Sequence, residues 1–85
     1  MGYHLKDIKK GKIGEASKIR EEMEEFIDAL DQNCKVMALV ELSDIIGSVE
    51  HYLEKHHPSI TIDDLVKMAG ITRRAFEDGT RKPRD

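Results

Sequence analysis

Between Glu21 and Gln32 the chain carries six acids and no basic residue, and few folds have a use for such a stretch. On a helix, Glu21 with Glu25 and Glu24 with Asp28 are like-charge pairs four apart, each destabilising by roughly 0.2–0.5 kcal/mol. Asp28 and Asp31 also fall toward the helix C-terminus, where the dipole disfavours anions. A solvated helix face ordinarily interleaves Lys or Arg for mutual support, and this one does not. The following helix brings Glu41-Leu42-Ser43-Asp44. Residues three apart share a helix face, with β-carbons about 5–6 Å apart. Glu22 with Glu25 and Glu41 with Asp44 therefore form two acidic pairs. If the chain folds back near Asn33, position n faces position 66 − n, so Glu22 meets Asp44 and Glu25 meets Glu41. Four carboxylates at the corners of a small quadrilateral suit a hard divalent cation.

The apolar pattern agrees with this arrangement. Ala16, Ile19, Met23, Phe26 and Leu30 form an a/d stripe on the first helix; Leu39, Leu42, Ile46, Val49 and Leu53 form one on the second. At about 100° per residue, each acidic pair lies roughly 120° from the centre of its own stripe, with the same sense of rotation. Both pairs are thus expected on one flank of an antiparallel helical hairpin whose stripes are packing faces. Met37 and Val40 lie nearly opposite the second stripe, and a helix apolar on two sides must be covered twice. In so short a chain this predicts an oligomeric helical bundle, a homodimer or homotetramer.

At 85 residues, 39% of them hydrophobic and 36% charged, the chain fits a single domain (1–85) near the lower limit for a self-sufficient core. Two Phe, two Tyr, no Trp and no alternating β-branched runs favour an all-α fold. No apolar run approaches the roughly 18 residues of a membrane span, and the amino end has no signal-peptide core. A cytoplasmic protein without membrane partners is expected, and the single Cys34 suits a reducing compartment. The charge is polarised. Residues 1–14 hold four Lys against one Asp, residues 15–54 eleven acids against three bases, and residues 55–85 seven bases against five acids. Such a balance suits a metal site whose anionic ligand is met by Lys and Arg from the two ends.

In chain order, residues 1–12 form a basic lead-in. The first helix is expected from Ile13 or Gly14 to Asp31, followed by a polar turn at Asp31-Gln32-Asn33. The second runs over 35–56 and stops ahead of Pro58, because the residue before proline is pushed out of α geometry. Gly47 inside it costs about 1 kcal/mol relative to Ala, in exchange for close helix approach or for room beside Asp44 for a phosphate. His56-His57 has no third well-spaced ligand for a transition metal and fits helix-terminal histidines favoured by the dipole. Thr61 is the expected N-cap of a third helix ending near Asp78, with Gly70 a point of kinking or splitting, Gly79 a C-cap, and residues 80–85 a basic tail.

Glu21-Glu22-x-x-Glu25 followed by Glu41-x-x-Asp44, with Lys18 three residues ahead of Glu21, resembles the signature of the all-α nucleotide pyrophosphohydrolases. That superfamily includes MazG, the dimeric dUTPases and phosphoribosyl-ATP pyrophosphohydrolase, and the small MazG-like proteins of phages and bacteria look closest. The resemblance covers about residues 13–56. It implies hydrolysis of a nucleoside triphosphate between its α and β phosphates with Mg2+, or Mn2+, as cofactor. It makes Glu22, Glu25, Glu41 and Asp44 the metal ligands, with Glu21 and Glu25 as catalytic carboxylates and Lys18 as a phosphate contact. Charge and position add Arg73, Arg74 and Arg81 as further substrate-binding residues, and Tyr3, Tyr52 or Phe76 could stack on a base. Two other classes compete. Residues 65–74 resemble a DNA-binding helix-turn-helix with Gly70 in the turn, although the segment after it spans only about two turns and ends on Glu77 and Asp78, so nucleic acid is an unlikely partner. A non-catalytic helical interaction protein is the other alternative.

Overall fold

Gly14 decides where the first helix starts. Its φ of +88° lies in the left-handed region that only glycine occupies at little cost, so helical geometry cannot extend back through it to Ile13. In the computed structural model, which describes residues 4–79, α1 spans Ala16–Asp31, α2 Lys35–His56 and α3 Ile62–Glu77. There is no strand among the described residues, and no helix is long and apolar enough to cross a membrane. The Glu15 side chain does not cap α1; it pairs with Lys55 and His56 at the far end of α2.

The turn between α1 and α2 is closed by backbone alone. Asn33 takes the left-handed conformation (φ 57°). Its N–H bonds Leu30 O at 2.9 Å, and the Cys34 N–H bonds Ala29 O at 3.0 Å. That is a Schellman closure with Asn in the position usually held by Gly. Glu15 lies by Lys55, Glu22 by Asp44, and Glu25 by Glu41.

The boundaries of α2 and the capping of α3 are as the sequence indicates. Thr61 Oγ1 accepts the Asp64 N–H at 3.2 Å while Asp64 Oδ2 accepts the Thr61 N–H at 2.9 Å, a complete capping box. Gly70 does not split α3, which continues to Glu77 with Asp78 as its C-cap and Gly79 at φ +78°. The turn of a helix-turn-helix is therefore absent there. One glycine weakens a helix by about 1 kcal/mol without interrupting its hydrogen bonds. Among the three helices α3 touches only α2, and none of its residues is buried.

Burial departs from the expectation that the apolar stripes are the packing faces. Among the described residues the buried apolar ones are Ala29, Ala38 and Leu53, and the other deeply buried side chains include Glu21, Glu22, Asp28 and Glu41. Met23, Leu30, Leu39, Leu42 and Ile46 are exposed. Thus α1 turns its acidic side toward α2, and the carboxylates lie in the seam between the helices instead of on an outer flank. Of the stripe residues Leu53 is buried, Ile19, Phe26 and Val49 are half-buried, and the rest are exposed.

Candidate metal centre

Two helices and the lead-in segment build the acidic cluster. Glu22, Glu41 and Asp44 each present an oxygen within 4.8 Å of the others; Glu21, Glu22 and Glu25 do the same, as do Glu25 and Glu41 with a His4 nitrogen. Glu41 is 0% exposed, Asp44 lies on the solvent-exposed rim, and Glu25 is half-buried between them. The i,i+3 spacing on each helix supplies the pairs, and the tight turn at Asn33 brings the pairs face to face. Each of Glu22, Glu25, Glu41 and Asp44 falls in at least one of these overlapping groups, and no single group holds all four.

The acids divide into two electrostatic groups. Burial pushes the Glu22 carboxyl above the usual range, the Glu25 charge adds to this, and Lys18 only partly opposes it. Burial also raises Glu25, reinforced by the Glu41 carboxylate, with His4 pulling the other way. Glu21 and Asp28 go down instead. Burial alone would raise Glu21, but the Gly11 amide, Lys18 and Lys10 outweigh it. For Asp28, His4, the Leu5 amide and Gln32 outweigh burial in the same way. Burial lowers Lys18 less than Glu21 and Glu22 raise it, so its ammonium is held firmly charged.

Part of the charge that lacked compensation in sequence is compensated in space. Lys18 Nζ lies 3.1 Å from both Glu21 Oε1 and Glu22 Oε1. The Gly11 N–H donates to Glu21 Oε1 at 2.8 Å, and Lys10 lies 3.6 Å from Oε2. Lys6 pairs with Asp31. His4 Nδ1 lies 2.9 Å from Asp28 Oδ2, and its Nε2 lies 3.3 Å from Glu41 Oε2 and 3.9 Å from Glu25 Oε1. The basic lead-in is thus folded along the acidic helix.

A cavity of about 230 Å3 opens beside the cluster, lined by Lys18, Glu22, Ser43, Asp44, Gly47 and His51 among others. A Cβ at Gly47 would meet no atom within 4 Å, so glycine is not required there for close helix packing, and the space beside Asp44 is open. Arg73 and Arg74 are exposed on α3, no residue of which lines this cavity; one chain does not bring them to the carboxylates. Tyr52 sits against His56 with ring centroids 4.6 Å apart, and Phe76 is on α3; neither lines the cavity. Arg81, with the rest of the 80–85 tail, and Tyr3 lie outside the described residues.

Sequence reasoning missed His4, Asp28 and Gly11 as members of the site. Asp28 had a usable signal, since it continues the three-residue step of Glu22 and Glu25 along the same helix face. His4 and Gly11 had none, because they reach α1 by a loop path that no periodicity encodes. Against family models, curated proteins and solved structures, the chain has no match.

Proposed function

We propose that this chain is a metal-dependent nucleoside triphosphate pyrophosphohydrolase, converting an NTP or dNTP and water to the monophosphate and pyrophosphate. The observation that carries it is that Glu22, Glu25, Glu41 and Asp44, drawn from two helices, fall in overlapping groups of mutually close carboxylate oxygens, with Glu22 and Glu41 buried. Buried like charges are expensive unless something neutralises them. A set of carboxylate oxygens fits Mg2+, with Mn2+ as the alternative. Such an ion, when bound, offsets the triphosphate charge and lowers the pKa of an attacking water. The MazG-like spacing of these acids points the same way.

The chain's own residues then take distinct parts. Glu22, Glu25, Glu41 and Asp44 hold the ion. Lys18, already charged and fixed between Glu21 and Glu22, faces the adjacent cavity and meets phosphate oxygens there. Glu21, engaged by Gly11, Lys10 and Lys18, positions that lysine. Glu25 is the second proposed catalytic carboxylate and shares its oxygens with the ion site. Arg73 and Arg74 reach a triphosphate only from a second copy of the chain.

An antiparallel hairpin assembled with its copies into a bundle completes the proposal. Leu39 is 68% exposed, Ile46 53% and Leu30 50%, and apolar stripes of this length on a small protein call for cover. A homodimer or homotetramer buries them. Leu39→Glu then yields a monomer by light scattering, and an unshifted mass removes the oligomer. A cytoplasmic setting follows from a nucleotide substrate. The test of activity is a panel of common and modified triphosphates with pyrophosphate detection under Mg2+ and Mn2+, using Glu41→Gln as the control. Turnover that is lost in the variant supports the proposal; no turnover on any triphosphate at high enzyme and metal concentration leaves the interaction-protein alternative.

A further inference from the structure

On the premise of that metal-dependent hydrolase, we infer that His4 is a further metal ligand, and that it biases the centre toward a first-row transition ion over Mg2+. The His4 side chain is only 7% exposed and is aimed into the cluster by contacts on its far side. Asp28 Oδ2 accepts from the Leu5 N–H at 3.1 Å and from Gln32 Nε2 at 2.9 Å, and it lies 2.9 Å from His4 Nδ1. Asp28 thus holds the Nδ1 side of the ring, and Nε2 is the nitrogen directed at Glu41 and Glu25. A carboxylate fixing one ring nitrogen so that the other can coordinate is the recurrent support of metal-bound histidine.

The separation between Nε2 and Glu41 fits coordination to one ion. Neighbouring ligands about 2.1 Å from an ion lie about 3.0 Å apart in an octahedron and about 3.4 Å apart in a tetrahedron. Nε2 lies 3.3 Å from Glu41 Oε2 and 3.9 Å from Glu25 Oε1. Three consecutive residues anchor this segment to α1, through the His4 ring, the Leu5 amide and the Lys6–Asp31 pair. An all-carboxylate site suits Mg2+, whereas an imidazole donor raises affinity for Mn2+ and, more steeply, for Co2+ along the first-row series. The lead-in thus supplies the donor that sets metal preference.

The test compares Co2+ and Mg2+ binding, each ion alone, to the wild-type protein, His4→Asn and Glu41→Gln. Asn retains an amide donor where Nδ1 stood, keeping the Asp28 contact while removing Nε2. We expect His4→Asn to weaken Co2+ about 10-fold or more and to leave Mg2+ within about twofold, as the loss of a nitrogen donor requires. Proton NMR of the Co2+ form should show a paramagnetically shifted, exchangeable Nδ1–H that is missing in His4→Asn. Equal loss of both ions, an unchanged Co2+ affinity, or a shifted resonance that persists in His4→Asn would overturn the inference. The hydrolase proposal would still stand if Glu41→Gln abolishes binding of both ions. If neither ion binds the wild-type protein, both proposals fail.

Discussion

Replacing Glu25 by Gln should stabilise the metal-free protein and, in the same molecule, remove the stabilisation that metal provides. Glu25 has an oxygen within 4.8 Å of oxygens on both Glu22 and Glu41. Two unit charges 4.8 Å apart repel by about 3.5 kcal/mol at an effective dielectric of about 20. The Glu25 side chain is 15% exposed, so roughly 1 kcal/mol is a reasonable net release once solvent screening is included. For a domain of this size that raises Tm by about 4–8 °C. Divalent metal at about 100 times its Kd adds about 2.7 kcal/mol to the wild-type protein, a rise of about 10–20 °C. Glu25→Gln should keep less than a third of that rise. The assay is thermal unfolding by circular dichroism at pH 8 and low salt, with chelator or with Mg2+ or Mn2+. A lower metal-free Tm for Glu25→Gln together with an undiminished metal shift would refute the reasoning, since the carboxylate would then be a structural acceptor outside any cation site.

Three other outcomes follow from the same geometry. Glu22 and Glu25 hold protons above the usual 4.5, so between that value and their raised ones the folded state binds more protons than the unfolded. Their contribution is present below 4.5 and is lost as pH rises through the raised values. Glu21 and Asp28 are lowered and lose theirs as pH falls further. Urea midpoints of the metal-free protein should therefore peak in mild acid and decline toward pH 8, and a steady rise over that range would contradict the assignment. Gly14→Ala places a Cβ 3.0 Å from Lys55 Cδ at φ +88°, which should destabilise by about 1–2 kcal/mol; a Tm within a degree of wild type would show that the entry to α1 relaxes freely. Thr61→Ala removes the capping box of α3 and should lose about 1 kcal/mol, read as faster amide exchange in the first turn of α3, with α1 and α2 protection unchanged.

Much of the fold was legible in the chain because its signals are local. Pro58 ends α2, Thr61 and Asp64 start α3, and Asn33 turns left-handed after α1, each through contacts within a few residues. The placement of Glu22, Glu25, Glu41 and Asp44 followed from helical spacing plus one fold-back point. The orientation of the helices did not. Apolar periodicity marks the face of a helix that needs cover, but not which partner covers it. In this chain the stripes holding Met23, Leu30, Leu39 and Ile46 are left to another surface.

By itself the sequence determined three helices, the end of α2, the capping box of α3 and the spacing of four carboxylates, because helix periodicity and capping depend only on neighbours along the chain. Tertiary structure alone decided that the acids line the seam between α1 and α2, that the lead-in lies across them, and that His4 sits with its ring between Asp28 and Glu41. The His4 contacts with Asp28 and Glu41 join residues 24 and more positions apart, and closing a loop of that length leaves no trace in the pattern of either segment.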